Sequence, residues 1–240
     1  MDYEELTYNT LSRERQLEAS LAFPTLMRKV YVWMSLALVI TGFTAYFVAT
    51  SPALLSMIYT NKIVFYGLII AELALVFAIS GAIQKLSLTS ATLLFVLYSV
   101  VNGATMASIF LMFELSSIVS VFFITAGTFA AMAAYGYFTK KDLTSWGRIL
   151  FMALIGIIIA SVVNIFVGST GFNILLSYIG VLLFVGLTAY DSQRIKNMLL
   201  TAPDAGEHMQ KLALVGALSL YLDFINLFLY LLRIFGSSRD

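Results

Sequence analysis

The run LSLYLDFINLFLYLLRIF, residues 218–235, is apolar enough to cross a bilayer yet carries a carboxylate, Asp223, near its middle. An acid at the centre of a spanning helix costs about 2.5–3.5 kcal/mol on insertion scales, so it persists only where a partner or a function justifies it. Projected at helical spacing, Gly216, Ser219, Asp223, Asn226 and Tyr230 fall at offsets of −7, −4, 0, +3 and +7 and form one small or polar face. A helix of that pattern belongs inside a bundle.

The remaining sequence supplies such a bundle. Of 240 residues, 60% are hydrophobic and only 11% charged, where soluble domains carry roughly 25% charged residues; the mean hydropathy is +0.93. Runs of spanning length fall at 30–50, 63–84, 88–111, 116–138, 147–167, 173–191 and 212–235. They predict an all-α polytopic membrane protein with a polar tail over 1–29, seven transmembrane helices over 30–236 and a short C-terminal tail over 237–240. Pro24, Pro52 and Pro203 lie outside these runs, so no span is expected to contain a proline. The break MFELSS, 112–117, predicts a tight hairpin.

Small residues at Gly127, Ala130, Ala131 and Ala134, and at Gly156 and Ala160, read as close helix packing. Tyr31, Trp33, Tyr46, Tyr59, Tyr137 and Trp146, near span ends, read as an interfacial aromatic belt.

Several classes of chemistry are excluded early. The chain has no cysteine, which removes disulfides, thiol catalysis and cysteine-held metals. Its one histidine, His208, stands in a polar loop and reads as solvated. A net charge of +1 argues against a nucleic-acid partner. The expectation is a protein that is not an enzyme and needs no cofactor. The mixed charges of residues 1–29 match neither a secretory signal nor a mitochondrial presequence.

Lys and Arg distribute unevenly between alternate loops. One set holds Arg13, Arg15, Arg28, Lys29, Lys85, Lys140, Lys141, Arg148, Arg194, Lys196 and Lys211, and the other only Lys62, Arg233 and Arg239. The positive-inside rule then predicts a cytoplasmic N-terminus, and seven full crossings an outside C-terminus. A re-entrant last span would return the C-terminus to the cytoplasm.

Three carboxylates lie in or at the spans: Glu72 in the second, Asp191 at the end of the sixth and Asp223 in the seventh. Intramembrane acids read as functional groups, whereas Ser219 and Asn226 read equally well as interhelical hydrogen-bonding groups. Were Asp191 and Asp223 to meet, two carboxylates in a poorly solvated site could not both ionise easily and would titrate as a unit. The same oxygens suit a hard divalent cation such as Ca²⁺. Orientation also brings Lys85 to the cytoplasmic side, within reach of an ion pair with Asp191.

The segment FVGLTAYDSQRIKN (184–197) followed by GALSLYLDFINLFLYLLRIFG (216–236) closely resembles the C-terminal signature of the transmembrane Bax inhibitor family, its bacterial members in particular. The resemblance implies six helices around a central seventh, in a bacterial cytoplasmic (inner) membrane. It also implies a pH-sensitive Ca²⁺ leak gated by two aspartates, which correspond here to Asp191 and Asp223. Lys85 is the candidate latch for Asp191, Glu72 the carboxylate on the ion path, and Ser219, Asn226 and Tyr230 the supporting polar face.

Other readings compete. Tyr190 with Asp191 matches half of an intramembrane aspartyl protease, but Asp223 follows Leu-Tyr-Leu where those enzymes need Gly-x-Gly. A regulatory protein that restrains a membrane protease or cell-death factors would act through the tail 1–29. A proton-coupled cation exchanger would use the same carboxylates.

Overall fold

Seven helices long and apolar enough to cross a membrane run through the computed structural model, which describes residues 3–239, with side chains described for residue 17 and from residue 20 onward. They are α1 Tyr3–Ala49, α2 Lys62–Gly81, α3 Leu88–Met106, α4 Leu115–Phe138, α5 Thr144–Val167, α6 Thr170–Leu200 and α7 Glu207–Phe235. Short polar side chains start several of them. Asn61 Oδ1 accepts from the amides of Ile63 and Val64, Ser87 Oγ from that of Ser90, and Ser169 Oγ from that of Phe172, each satisfying amides that the first turn leaves free. Before α5, Asp142 accepts from the Thr144 amide at 2.9 Å, and hydrogen bonds from Thr144 hold its carboxyl below the usual range. Gly168, at φ 67°, closes α5 in the left-handed conformation that glycine adopts without strain.

Two sequence expectations need correction here. Among the described residues the first apolar span reaches back to Ser20, ten residues before hydropathy placed its start, and therefore contains Pro24. Burial decides the matter, because Ala22, Leu26, Met27 and Val30 pack into the core as one continuous helical face. Similarly, α6 does not end at Asp191 but continues to Leu200, with Ser192, Gln193, Ile195 and Leu199 all buried. Asp191 is thus inside a helix.

The last helix crosses the whole bundle. At one end Lys211 Nζ donates to the Leu86 carbonyl at 3.0 Å and Glu207 accepts from the Leu88 amide at 3.0 Å. At the other, the Glu114 amide donates to the Ser237 carbonyl at 3.1 Å and the Arg239 amide to the Met112 carbonyl at 2.9 Å. The chain end is therefore tied to the tight turn between α3 and α4. In burial α7 stands apart: 67% of its spanning window is buried, against 6% for α2 and 11% for α5. It packs on α1, α3, α4 and α6, whereas α2 leans mainly on α3 and α5 mainly on α6.

Close packing falls elsewhere than the small-residue stripe suggests. Around Gly127 and Gly156 there is open space where a side chain would go, and Ala130 and Ala134 border a groove of about 670 Å³ between α1 and α4. The buried face of α4 is Ile118, Val121, Thr125, Phe129, Ala133 and Gly136. A Cβ on Gly136 would lie 2.1 Å from the Ala189 carbonyl oxygen of α6. One turn away, Ser192 Oγ donates to the Ala133 carbonyl at 2.8 Å.

Alanine substitution separates these two kinds of glycine. Gly136→Ala is expected to lower stability by about 1–3 kcal/mol through overpacking against backbone, although alanine is the better helix former. Gly127→Ala should be neutral or stabilising. Thermal unfolding of the detergent-solubilised protein measures both, and equal melting of the two variants would mean that the α4–α6 approach is not a constraint.

Candidate functional site

A cavity of about 1040 Å³ opens among α2, α3, α5, α6 and α7, and it is lined by all three intramembrane carboxylates, Glu72, Asp191 and Asp223. Ser219, Asn226 and Tyr230 line it as well. The polar face of α7 is therefore turned into this space, as its helical spacing requires. Asp223 lies 16 residues into a 29-residue helix, about 24 Å along its axis at 1.5 Å per residue.

The three acids are held differently. Asp223 is 5% exposed, and its Oδ2 is fully buried with no hydrogen-bond partner among the described residues. Asp191 meets Arg194, one turn along α6, at 3.8 Å; the Arg194 side chain is 63% exposed and that of Asp191 13%, so the pair stands at the mouth of the cavity with its carboxylate turned inward. With the guanidinium that exposed and the distance that long, the pair contributes about 0–1 kcal/mol. Glu72 accepts a hydrogen bond from Thr105 Oγ1 of α3. Among the described residues these acids do not converge into a group of three able to hold a metal ion.

Lys85 does not join the site. It is exposed on the short turn Ile83–Lys85 beyond the end of α2 and forms no ion pair with Asp191. That turn packs against the start of α7, where Lys211 holds the Leu86 carbonyl. Arg194 takes the place at Asp191 that orientation alone offered to Lys85, and Arg148 of α5 lines the same cavity. Helical spacing on α6 already puts Arg194 at i+3 from Asp191, so this partner could be read from the sequence.

A buried polar network behind the site went unread in the sequence. The Tyr221 hydroxyl, two residues before Asp223, donates to Asn102 Oδ1 at 2.9 Å and lies 2.7 Å from Thr41 Oγ1. Thr41 also reaches the Ser99 carbonyl at 3.0 Å, so its one hydroxyl hydrogen is shared between Tyr221 and that carbonyl. The Thr105 hydroxyl, which holds Glu72, also lies 2.9 Å from the Asn102 carbonyl, so its one hydrogen is shared between the two. These contacts link α1, α3 and α7 to the Glu72 wall of the cavity. They join residues 41, 102 and 221, separations that no local pattern reports.

Tyr59 is not a belt residue. Its hydroxyl is within 3.0 Å of the Ala104 and Thr105 carbonyls and accepts from the Ser108 amide at 2.9 Å, covering backbone groups freed where α3 ends.

Comparison with known proteins gives a consistent kinship. The profile of the family described as "Inhibitor of apoptosis-promoting Bax1" matches residues 24–240. The chain is similar to the inner membrane protein YbhL of Escherichia coli, 51% identical over 217 residues that cover 90% of this chain and 92% of that one. An uncharacterized protein of Borreliella burgdorferi is 48% identical over 89% of this chain and 92% of its own. The protein RP147 of Rickettsia prowazekii is 39% identical over 98% of both.

Removing the central hydroxyl tests the network. Tyr221→Phe takes the hydroxyl donor from Asn102 Oδ1 and leaves Thr41 with the Ser99 carbonyl alone, and should destabilise the protein by about 1–3 kcal/mol. Adding Thr41→Val should cost less than the sum of the two single changes, because they share one interaction. A double-mutant cycle on unfolding midpoints measures this, and strict additivity would dissolve the network.

Proposed function

The chain belongs to the transmembrane Bax inhibitor family, and from that premise we propose that it is a pH-sensitive Ca²⁺ pathway of a bacterial inner membrane rather than an enzyme. The observation that carries this reading is the gathering of Glu72, Asp191 and Asp223 on one cavity inside an otherwise apolar bundle.

A cation crossing a bilayer must exchange part of its water shell for protein oxygens, and carboxylates are the strongest such ligands for Ca²⁺. Glu72, placed by Thr105, acts as a lining carboxylate. Asp223 is the central group and Asp191 its partner nearer the mouth, which the Lys and Arg distribution puts on the cytoplasmic side. Ser219, Asn226 and Tyr230 carry the polar face along α7. Asn226 is partly occupied, since its Nδ2 donates to the Leu222 carbonyl at 2.8 Å.

Gating follows from electrostatics. Two carboxylates on one poorly solvated cavity cannot both hold charge cheaply, so Asp191 and Asp223 respond to pH as a pair. A change in their joint charge alters the force between α6 and α7 and the pull of Arg194 on Asp191, and so shifts an open–closed balance.

Ca²⁺ entry into dye-loaded liposomes, followed from about pH 5 to 8 where shifted carboxylates titrate, tests the proposal. Wild type should conduct with a pH-dependent rate, while Asp191→Asn and Asp223→Asn should each flatten that dependence. Uptake driven by an imposed proton gradient, without a Ca²⁺ gradient, would replace the leak with an exchanger. Flux equal to that of empty liposomes in all three proteins would remove the pathway.

A further inference from the structure

The cavity has a feature that an ion path does not require: its side facing the lipid is open. Its walls on α2 and α5 are Leu73, Phe77, Phe151, Met152 and Ile158, each more than half exposed. These two helices are the least buried in the bundle and each leans mainly on one neighbour, α2 on α3 and α5 on α6. A slot therefore connects the hydrocarbon region to Asp223.

Size and charge say what fits there. About 1040 Å³ is far more than a bare ion needs and corresponds to the upper range of sites for drug-sized molecules. The walls are apolar, yet at depth stand Glu72 and Asp223, neither in an ion pair among the described residues. The two arginines on the cavity, Arg148 and Arg194, are exposed, and Arg194 is engaged with Asp191. An anionic amphiphile would meet unpaired acids at the bottom of the slot. A cationic one would supply the charge that makes an ionised carboxylate there favourable, and the rings of Tyr98, Tyr190 and Tyr230 on the same cavity add faces that attract cations.

We propose that this lateral slot between α2 and α5 binds hydrophobic cations entering from the bilayer, with the cationic group toward the Asp223 carboxylate that lines its depth and the apolar body against Phe77, Phe151 and Met152. This site goes beyond the Ca²⁺ pathway and does not depend on it, because binding needs no through-path. A bound cation would sit against the pathway's central carboxylate, Asp223, and would block the pathway.

Two probes of the same shape and opposite charge separate this from partition into grease. Binding of radiolabelled tetraphenylphosphonium and of tetraphenylborate to the purified full-length protein in detergent is measured by equilibrium dialysis. Tetraphenylphosphonium should bind saturably and tetraphenylborate should not. Asp223→Asn should weaken the cation by about thirtyfold or more, as loss of one buried charge partner does. Ser219→Phe, which fills the slot one turn from Asp223 and keeps every charge, should abolish binding, and it carries the test if Asp223→Asn does not fold. Equal binding of both probes would overturn the proposal and leave an acyl-chain groove. So would cation binding unchanged in both variants. Neither result bears on Ca²⁺ flux, so the two readings fail separately.

Discussion

One carboxylate oxygen, Asp223 Oδ2, is buried on the most enclosed helix of a membrane protein without a hydrogen-bond partner among the described residues, and the arrangement of the other helices follows from where that helix must lie. In hydrocarbon a polar group has no water to fall back on. The polar face of α7 therefore turns onto the cavity inside the bundle instead of the outer surface, and its other faces are apolar enough to be packed on. Tyr221, Leu218, Leu220, Leu227 and Leu232 are at most 1% exposed and fill the contacts with α1, α3, α4 and α6. The remaining face borders the cavity. A single ionisable residue thus sets which helices pack on α7 and on which side space is left.

The cavity's walls are secured unequally. On one side Thr105 holds Glu72, and the Asn102 and Tyr221 contacts behind it run to Thr41 on α1. In a low-dielectric interior such contacts fix geometry more firmly than apolar packing, because a slip leaves several polar groups unpaired. On the other side Gly147 and Gly180 admit the rings of Tyr190 and Tyr230, which a Cβ at either glycine would strike within 2.6 Å. Tyr230 also stacks on Phe184 at 5.9 Å between ring centroids. Glycine at these two positions gives the aromatic rings room to lie flat along the cavity.

Much of this was legible in the sequence, and the misses have physical causes. Seven spans, the polar face of α7 and the three acids follow from hydropathy and helical period, since lipid enforces both strongly. Span ends were less legible: hydropathy averages over polar residues, so it could not detect that α6 stays buried past Asp191 or that α1 already packs into the core at Ala22. Small residues misled in α4, where Gly127, Ala130 and Ala134 satisfy a packing pattern but adjoin open space, while Gly136 alone makes the close approach. A pattern on one helix says nothing about whether a partner is there. For the same reason Lys85 was matched to Asp191 by side of the membrane, a coordinate too coarse to distinguish it from Arg194.

Mobility follows from the same unequal burial. Elements with few buried contacts open at the lowest free energy, and here those are α2 and α5, each leaning mainly on one long helix. The acids of the cavity are shared between this loose pair and the firm set: Glu72 rides on α2, while Asp191 and Asp223 ride on α6 and α7, whose mutual packing is the most extensive in the bundle. Outward displacement of α2 would carry Glu72 away from Asp223 against its Thr105 hydrogen bond and the packing of α2 on α3, whereas separating Asp191 from Asp223 would require breaking the more extensive α6–α7 interface. The distance that can change at lower cost is therefore the one between Glu72 and the aspartate pair, and the same movement of α2 widens or narrows the lateral slot between α2 and α5.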